Sequence, residues 1–396
     1  MTGTDQQHEA KSNRKTKQSN GSTDALVTPS TTTSTTTTTS TTTSASHGAS
    51  AASAASTQQQ QQRRIEFAPL NVPLSRRLET LAVMIFLSQQ LICILAALLM
   101  LTVPVFWPII VPYLLWMHLV DHRTAKNGVG RKSQWLRSAR FPFGFLRAYF
   151  PARLIKTAEL NPQKNYIFGY HPHGIIGLGA CINFGTEASN VSKLFPGIDT
   201  RVLTLGVNFK IPFYRDYLMA LNFADVGKTS IRNILSKGPG SSCLIVVGGA
   251  AEALDARPGV ADLTLANRKG FVREAIINNA CLVPVFSFGE NDVYSQAANP
   301  PGSRVRRFQN FIKEALGFTL PFVIGRGVFN YTFGLLPHRR PIVTVVGTPI
   351  EVPHILSPTE KDVDEIHARY VAALKDLYDQ YKDEYSDPKV NLRLVA

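Results

Sequence analysis

The sequence predicts an α/β fold: a mixed, mostly parallel sheet flanked by helices. Three observations predict it. Short apolar runs at 165–169 (NYIFG), 202–207 (VLTLGV), 243–247 (CLIVV), 281–287 (CLVPVFS) and 342–346 (IVTVV) have the β-branched content and the Gly or Pro borders of buried strands. Helix-like segments at 213–222, 229–236 and 270–279 lie between them, and such alternation builds a sheet covered on both faces. A long helix closes the pattern. Ser357-Pro358-Thr359-Glu360 offers an N-cap, a proline at the first helical position and a capping-box Glu. Val363, Ile366, Tyr370, Leu374, Leu377 and Tyr381 then follow in one apolar stripe.

The chain divides into three parts. Residues 1–62 form a Thr/Ser/Gln-rich tail with almost nothing to bury, so it is expected to be disordered. Its polar start lacks the apolar core of a secretory signal. Residues 63–120 hold a stretch free of charge from Thr80 to Met117, the first half of which is long enough to cross a hydrocarbon core of about 30 Å. Pro104, Pro108 and Pro112 interrupt the second half. One reading is a single span followed by an interfacial segment; the other is a membrane hairpin turning near Pro104. Basic residues on both flanks (Arg63, Arg64, Arg76 and Arg77 before; Arg123, Lys126, Arg131, Lys132, Arg137 and Arg140 after) favour the hairpin, with both termini cytosolic. Residues 121–396 are the expected catalytic domain.

Composition narrows the function. The 396 residues include 42 Lys plus Arg and 28 Asp plus Glu, a formal charge of +14, and 44% are hydrophobic, which excludes a wholly disordered chain. Such a surplus of base suits nucleic acid, anionic lipid headgroups or phosphorylated substrates. Nucleic acid is the weakest of these, because the basic residues flank the membrane segment and no recognisable binding module is present. Four cysteines lie far apart without a CxxC, which supports neither a disulfide scaffold nor a zinc finger.

Four clusters are candidates to carry chemistry. Tyr170-His171-Pro172-His173-Gly174 follows the strand ending at Gly169, where α/β sheets place reactive groups, and one His can serve as general base for a hydroxyl attacking a carbonyl. His-x-His also suits zinc, yet no third ligand follows at a recognisable spacing, so no metal site is expected. Gly248 and Gly249 follow another strand and let backbone approach a ligand, with Glu252 just beyond as a group to orient a histidine or hold a hydroxyl. Arg268, Lys269 and Arg273 surround a helix start and suit phosphate, or form an ordinary solvated cluster. Arg215, in Ile211-Pro212-Phe213-Tyr214-Arg215-Asp216-Tyr217, joins Gly174 and these basic groups as a candidate substrate-binding residue, or pairs structurally with Asp216.

In family order, Tyr149-Phe150-Pro151, His171 to Gly174, Pro212 to Tyr217, Gly248 to Ala253, Arg268 to Glu290 and Pro341 to Ile350 resemble the blocks of the type 2 diacylglycerol acyltransferase family, which includes monoacylglycerol and wax-ester acyltransferases. The resemblance covers roughly residues 65–390. It departs at Asn222 and Asn279, where the family has glycine, and at Phe86-Leu87, where the regular leucine spacing of a neutral-lipid motif is missing. More distantly, the layout is similar to glycerolipid acyltransferases with an Asn-His-x4-Asp motif; Ile176 stands at their Asp, leaving Glu252 as the replacement carboxylate.

The resemblance implies acylation of diacylglycerol by acyl-CoA, which is a substrate, so no cofactor is invoked. His171 is the expected base by register, and His173 its partner. A monoacylglycerol or fatty-alcohol acceptor is the alternative, and a non-catalytic droplet-coating protein is the reading from another class. The implied setting is the endoplasmic reticulum membrane and lipid droplets, with membrane lipid and diacylglycerol as partners and a homo-oligomer compatible.

Overall fold

The structure is a computed structural model and describes residues 65–395 apart from Leu70, Ala298, Pro301, Gly317, Phe318 and Leu320. The tail expected to be disordered lies outside the described residues. Seven strands form one sheet: β1 (Arg153–Lys156), β2 (Asn165–His171), β3 (Asp199–Thr204), β4 (Phe223–Asp225), β5 (Ser241–Val246), β6 (Ala280–Phe288) and β7 (Val343–Val346). Their spatial order is β1-β7-β6-β2-β5-β3-β4, and every neighbouring pair is parallel except β7 with β6. The expected mixed, mostly parallel sheet is therefore present. Two short strands were not anticipated. β1 and β4 are the edges of the sheet, and strands of four and three residues reading RLIK and FAD present too little alternation to be recognised.

Helices cover both faces, and strand alternation decides what each meets. On one face, Ile167, Cys243, Ile245 and Leu282 pack on α6 (Lys228–Leu235), α8 (Gly270–Ile277) and α9 (Glu360–Tyr385). The opposite face carries Tyr166, Phe168, Tyr170, Leu244, Val283 and Val285, which pack with Phe184 and Phe195. Cores of this kind contribute roughly 25 cal/mol for each Å² of apolar surface removed from water. The stripe expected on α9 is there, with Val363, Ile366, Tyr370, Leu374 and Leu377 buried. Its cap sits two residues later than expected. Thr359 is the N-cap, accepting from the Asp362 N–H, while the Asp362 carboxylate accepts from the Thr359 N–H at 2.8 Å. Pro358, with its carbonyl taken by Arg273, lies outside the helix. Asn222 and Asn279 adopt φ of +69° and +50°, the left-handed region where glycine is at ease and Asn is the side chain that best replaces it.

Before the sheet, α1 (Leu74–Thr102) is the one described helix long and apolar enough to cross a membrane. At 1.5 Å per residue its 29 residues reach about 44 Å. A 3₁₀ turn at Pro104–Phe106 leads to α2 (Trp107–Leu119), whose 13 residues reach about 20 Å and contain Pro112. A second full span is thus not shown. The first turns of α1 are tied down: Glu79, buried, pairs with Arg76 at 3.0 Å and with Arg339, while Ala82 and Val83 pack on Phe143, Leu146 and Tyr149 of α3 (Phe143–Tyr149).

Beyond α2 the chain is held by an ion pair. Arg215, on α5 (Tyr214–Ala220), is 1% exposed and meets the Asp121 carboxylate at 2.6 Å and the Asp121 carbonyl at 2.9 Å. Removing one partner of a buried pair strands the other charge and costs about 3–5 kcal/mol. Asp121→Ala is therefore expected to lower the melting stability of detergent-solubilised protein by that amount, and a change under about 1 kcal/mol would show that the pair contributes little.

Candidate active site

Parity along β2 sorts the signature motif. The strand runs two residues further than expected, through His171, because His171 still pairs with Phe286 of β6. Tyr170 therefore points to one face and His171, with Ile167 and Gly169, to the face covered by α9. Gly169 has no side chain, and a Cβ there would lie 2.0 Å from the Tyr370 hydroxyl of α9. That hydroxyl donates to the Gly169 carbonyl at 3.0 Å and stands 3.0 Å from His171 Nε2. With its only hydrogen committed, it accepts from His171 Nε2–H. Nδ1 of His171 is then a buried lone pair with no partner among the described residues. The ring is 0% exposed, and burial pushes its pKa down to about 3, so it stays neutral.

His173 has the opposite arrangement. Its Nδ1 lies 3.0 Å from the Gly174 carbonyl, which can only accept, so the proton is on Nδ1 and Nε2 keeps its lone pair. The side chain is partly exposed, and burial lowers its pKa against the raising effect of the Gly174 carbonyl. A neutral imidazole with a free, reachable Nε2 can take a proton from a hydroxyl. The two histidines, expected as base (His171) and partner (His173), thus differ in which ring nitrogen is free and in how far the ring is buried.

Two buried carboxylates flank the loop, one from each strand beside β2. Glu252, on α7 (Gly249–Ala253) after β5, accepts from the His173 N–H at 2.8 Å and from the Thr264 N–H at 3.3 Å. Expected to orient a histidine or hold a hydroxyl, it meets the backbone N–H of His173. Burial raises its carboxyl to about 7, against the pull of those N–H groups and of Arg268. Gly248 is required here because a Cβ would lie 1.6 Å from Glu252 Oε2. Gly249, at φ +61°, opens α7. On the β6 side, Glu290 accepts from the Tyr170 hydroxyl and from the Gly179 N–H of α4 (Leu178–Ala180), each at 2.9 Å. Gly174, at φ +62°, rests on it.

The basic residues separate. Lys269 pairs with Asp364 at 2.6 Å, Arg273 pairs with Glu360, and Arg215 is spent on Asp121. These three, expected at the substrate, are held by carboxylates of the fold. Arg268 is exposed and close enough to lower the Glu252 carboxyl. Glu290 and Tyr370 were missed by sequence reasoning. Glu290 stood within a matched block without a role, and Tyr370 read as one more apolar position in a helical stripe.

The raised carboxyl of Glu252 has a signed consequence. Its unfolded value is near 4.5 and its folded value about 7, so folding favours the protonated form. That stabilisation is complete below pH 4.5 and is lost as pH rises through 7. The melting stability of wild type relative to Glu252→Gln is expected to fall by on the order of 2 kcal/mol between pH 5 and pH 8. A difference flat with pH would reject it.

A model of the diacylglycerol acyltransferase family matches residues 99–395. Diacylglycerol O-acyltransferase 2A of Umbelopsis ramanniana is 52% identical over 328 residues, 82% of this chain and 92% of the relative. Diacylglycerol O-acyltransferase 2 of Dictyostelium discoideum is 48% identical over 83% of this chain and 99% of its own. 2-Acylglycerol O-acyltransferase 1 of Bos taurus is 44% identical over 82% and 98%. The solved 1-acyl-sn-glycerophosphate acyltransferase of Thermotoga maritima matches at 14% identity, over 72% of this chain and 97% of that one, with a TM-score of 0.32, too low to carry an argument. With one family model spanning the sheet and all three flanking loops, and relatives aligned over nearly their whole length, the chain belongs to the diacylglycerol acyltransferase family and is an acyltransferase.

Proposed function

We propose that the protein transfers an acyl group from acyl-CoA to the free hydroxyl of diacylglycerol, with His173 as the general base. The observation that carries the assignment is the free, partly exposed Nε2 of His173, its tautomer set by the Gly174 carbonyl. Nε2 takes the hydroxyl proton as the acceptor oxygen attacks the thioester carbonyl. The C–O bond forms, the C–S bond breaks, and the imidazolium returns its proton to the departing thiolate, releasing free CoA. Glu252 holds the loop backbone during these steps, and His171 serves as a buried strut. Arg268 is the exposed base near the loop and suits the phosphates of CoA. A 2-monoacylglycerol acceptor is the second reading, favoured by the relatives of that name at 44% identity.

We also propose that α1 and α2 insert in the endoplasmic reticulum membrane and that the protein reaches lipid droplets with both termini cytosolic. Leu91, Leu95, Leu98, Leu99, Ile109 and Leu115 are exposed, which suits hydrocarbon, and basic residues flank the segment on either side.

Purified protein given labelled oleoyl-CoA with mono- and diacylglycerols and fatty alcohols is expected to make triacylglycerol fastest; a preference for monoacylglycerol or alcohol would replace the acceptor named here. Loss of a general base costs about 10²–10⁴-fold, so His173→Gln is expected to lose that much kcat and the limb of the pH–rate profile that reports the base. If that limb instead survives in His173→Gln and vanishes in His171→Gln, the roles are reversed. In sealed microsomes, protease is expected to reach both the N-terminal tail and the catalytic domain; a protected C-terminus would reject the topology.

A further inference from the structure

Glu290 follows Gly289, whose φ of +82° turns the chain off the end of β6. Its side chain is 1% exposed, and three hydrogen bonds gather on one of its oxygens. Oε2 accepts from the Tyr170 hydroxyl and the Gly179 N–H at 2.9 Å each, and from the Ser287 hydroxyl at 3.4 Å. Oε1 has no partner among the described residues and is buried against Gly174. A Cβ on Gly174 would come within 2.7 Å of Glu290 Cγ and 3.2 Å of Oε1. The carboxylate therefore touches the signature loop in three places: before it at Tyr170, within it at Gly174, and after it at Gly179.

Gly174 is the residue whose carbonyl fixes the proton of His173 on Nδ1. A carboxylate that sets where Gly174 lies also sets which nitrogen of His173 is free. An apolar residue here would pack as well but would leave the Gly179 N–H unpaired in the core and take an acceptor from the Tyr170 hydroxyl. Packing alone does not account for a charged group in this place.

We propose that Glu290 is a positioning residue for acyl transfer, acting through Gly174 and Gly179 to hold His173 in the tautomer that leaves Nε2 free. The proposal rests on His173 being the base.

The test is steady-state kinetics on the full-length, detergent-purified chain with oleoyl-CoA. Displacing a catalytic group by about 1 Å costs about 100-fold, so Glu290→Ala is expected to lower kcat by roughly that factor with KM for oleoyl-CoA within about threefold. Glu290→Gln keeps an acceptor for Tyr170 and Gly179 and is expected to recover at least about tenfold of the loss. Kcat of Glu290→Ala within about threefold of wild type, or a loss expressed in KM alone, would overturn the proposal, as would a Gln variant no faster than Ala. Should the Ala variant not accumulate, Glu290→Asp, too short to reach both donors, takes its place: kcat lowered about tenfold or more at unchanged KM supports the proposal, and wild-type kcat overturns it. His173→Gln, assayed in parallel, separates the two readings. If it is slow while Glu290→Ala is at full rate, only the role of Glu290 fails; if it is itself at full rate, the base assignment fails and the proposal with it.

Discussion

Two carboxylates buried on either side of one loop are the constraint on which the rest of this site depends. An ionised carboxylate in an apolar setting is costly unless it is hydrogen-bonded, and Glu252 and Glu290 are both bonded to backbone N–H groups of the same few residues or of the turn just after them. They can do this because β6 and β5 are the immediate neighbours of β2, so the three strands deliver their carboxyl-terminal loops side by side. Glycine at 174 and 248 follows from the same cause, since each backbone lies where a carboxylate leaves no room for a methyl group.

The two histidines are divided by the pleat of a single strand. His171 is the last residue of β2, on the face that α9 covers, and is tied to a tyrosine there. His173 lies past the strand end, free of the sheet's alternation, and reaches the surface. A similar economy governs charge. Most of the arginines and lysines near the site hold helices in place, Arg273 and Lys269 against α9 and Arg215 against the segment leaving α2. Arg268 is the basic group of that stretch left facing outward.

How much of this could be read from the sequence depended on the range of the interaction. Central strands were legible because a buried strand needs a run of apolar side chains wherever it sits, and the loop motifs were legible because Gly and Pro mark special backbone. Edge strands of three and four residues carry too little pattern. What holds each histidine was not legible: His171 is claimed by Tyr370, 199 positions away, and nothing near either residue announces the other. Arg215 was noticed beside Asp216, yet its partner is Asp121, from before the sheet begins. That Glu252 accepts from the backbone N–H of His173 and not from an imidazole is a matter of ångströms that spacing does not encode.

The hydroxyl that fills the space above Gly169 also orders the birth of the enzyme. Tyr370 belongs to the last helix, so a chain emerging from the ribosome can pair its central strands long before the group that seats His171 has been made. Until that helix is made, neither the Gly169 carbonyl nor His171 Nε2 has the hydroxyl that each meets in the folded chain. Nascent chains therefore carry the signature motif for some time before α9, the helix that covers His171, has been made.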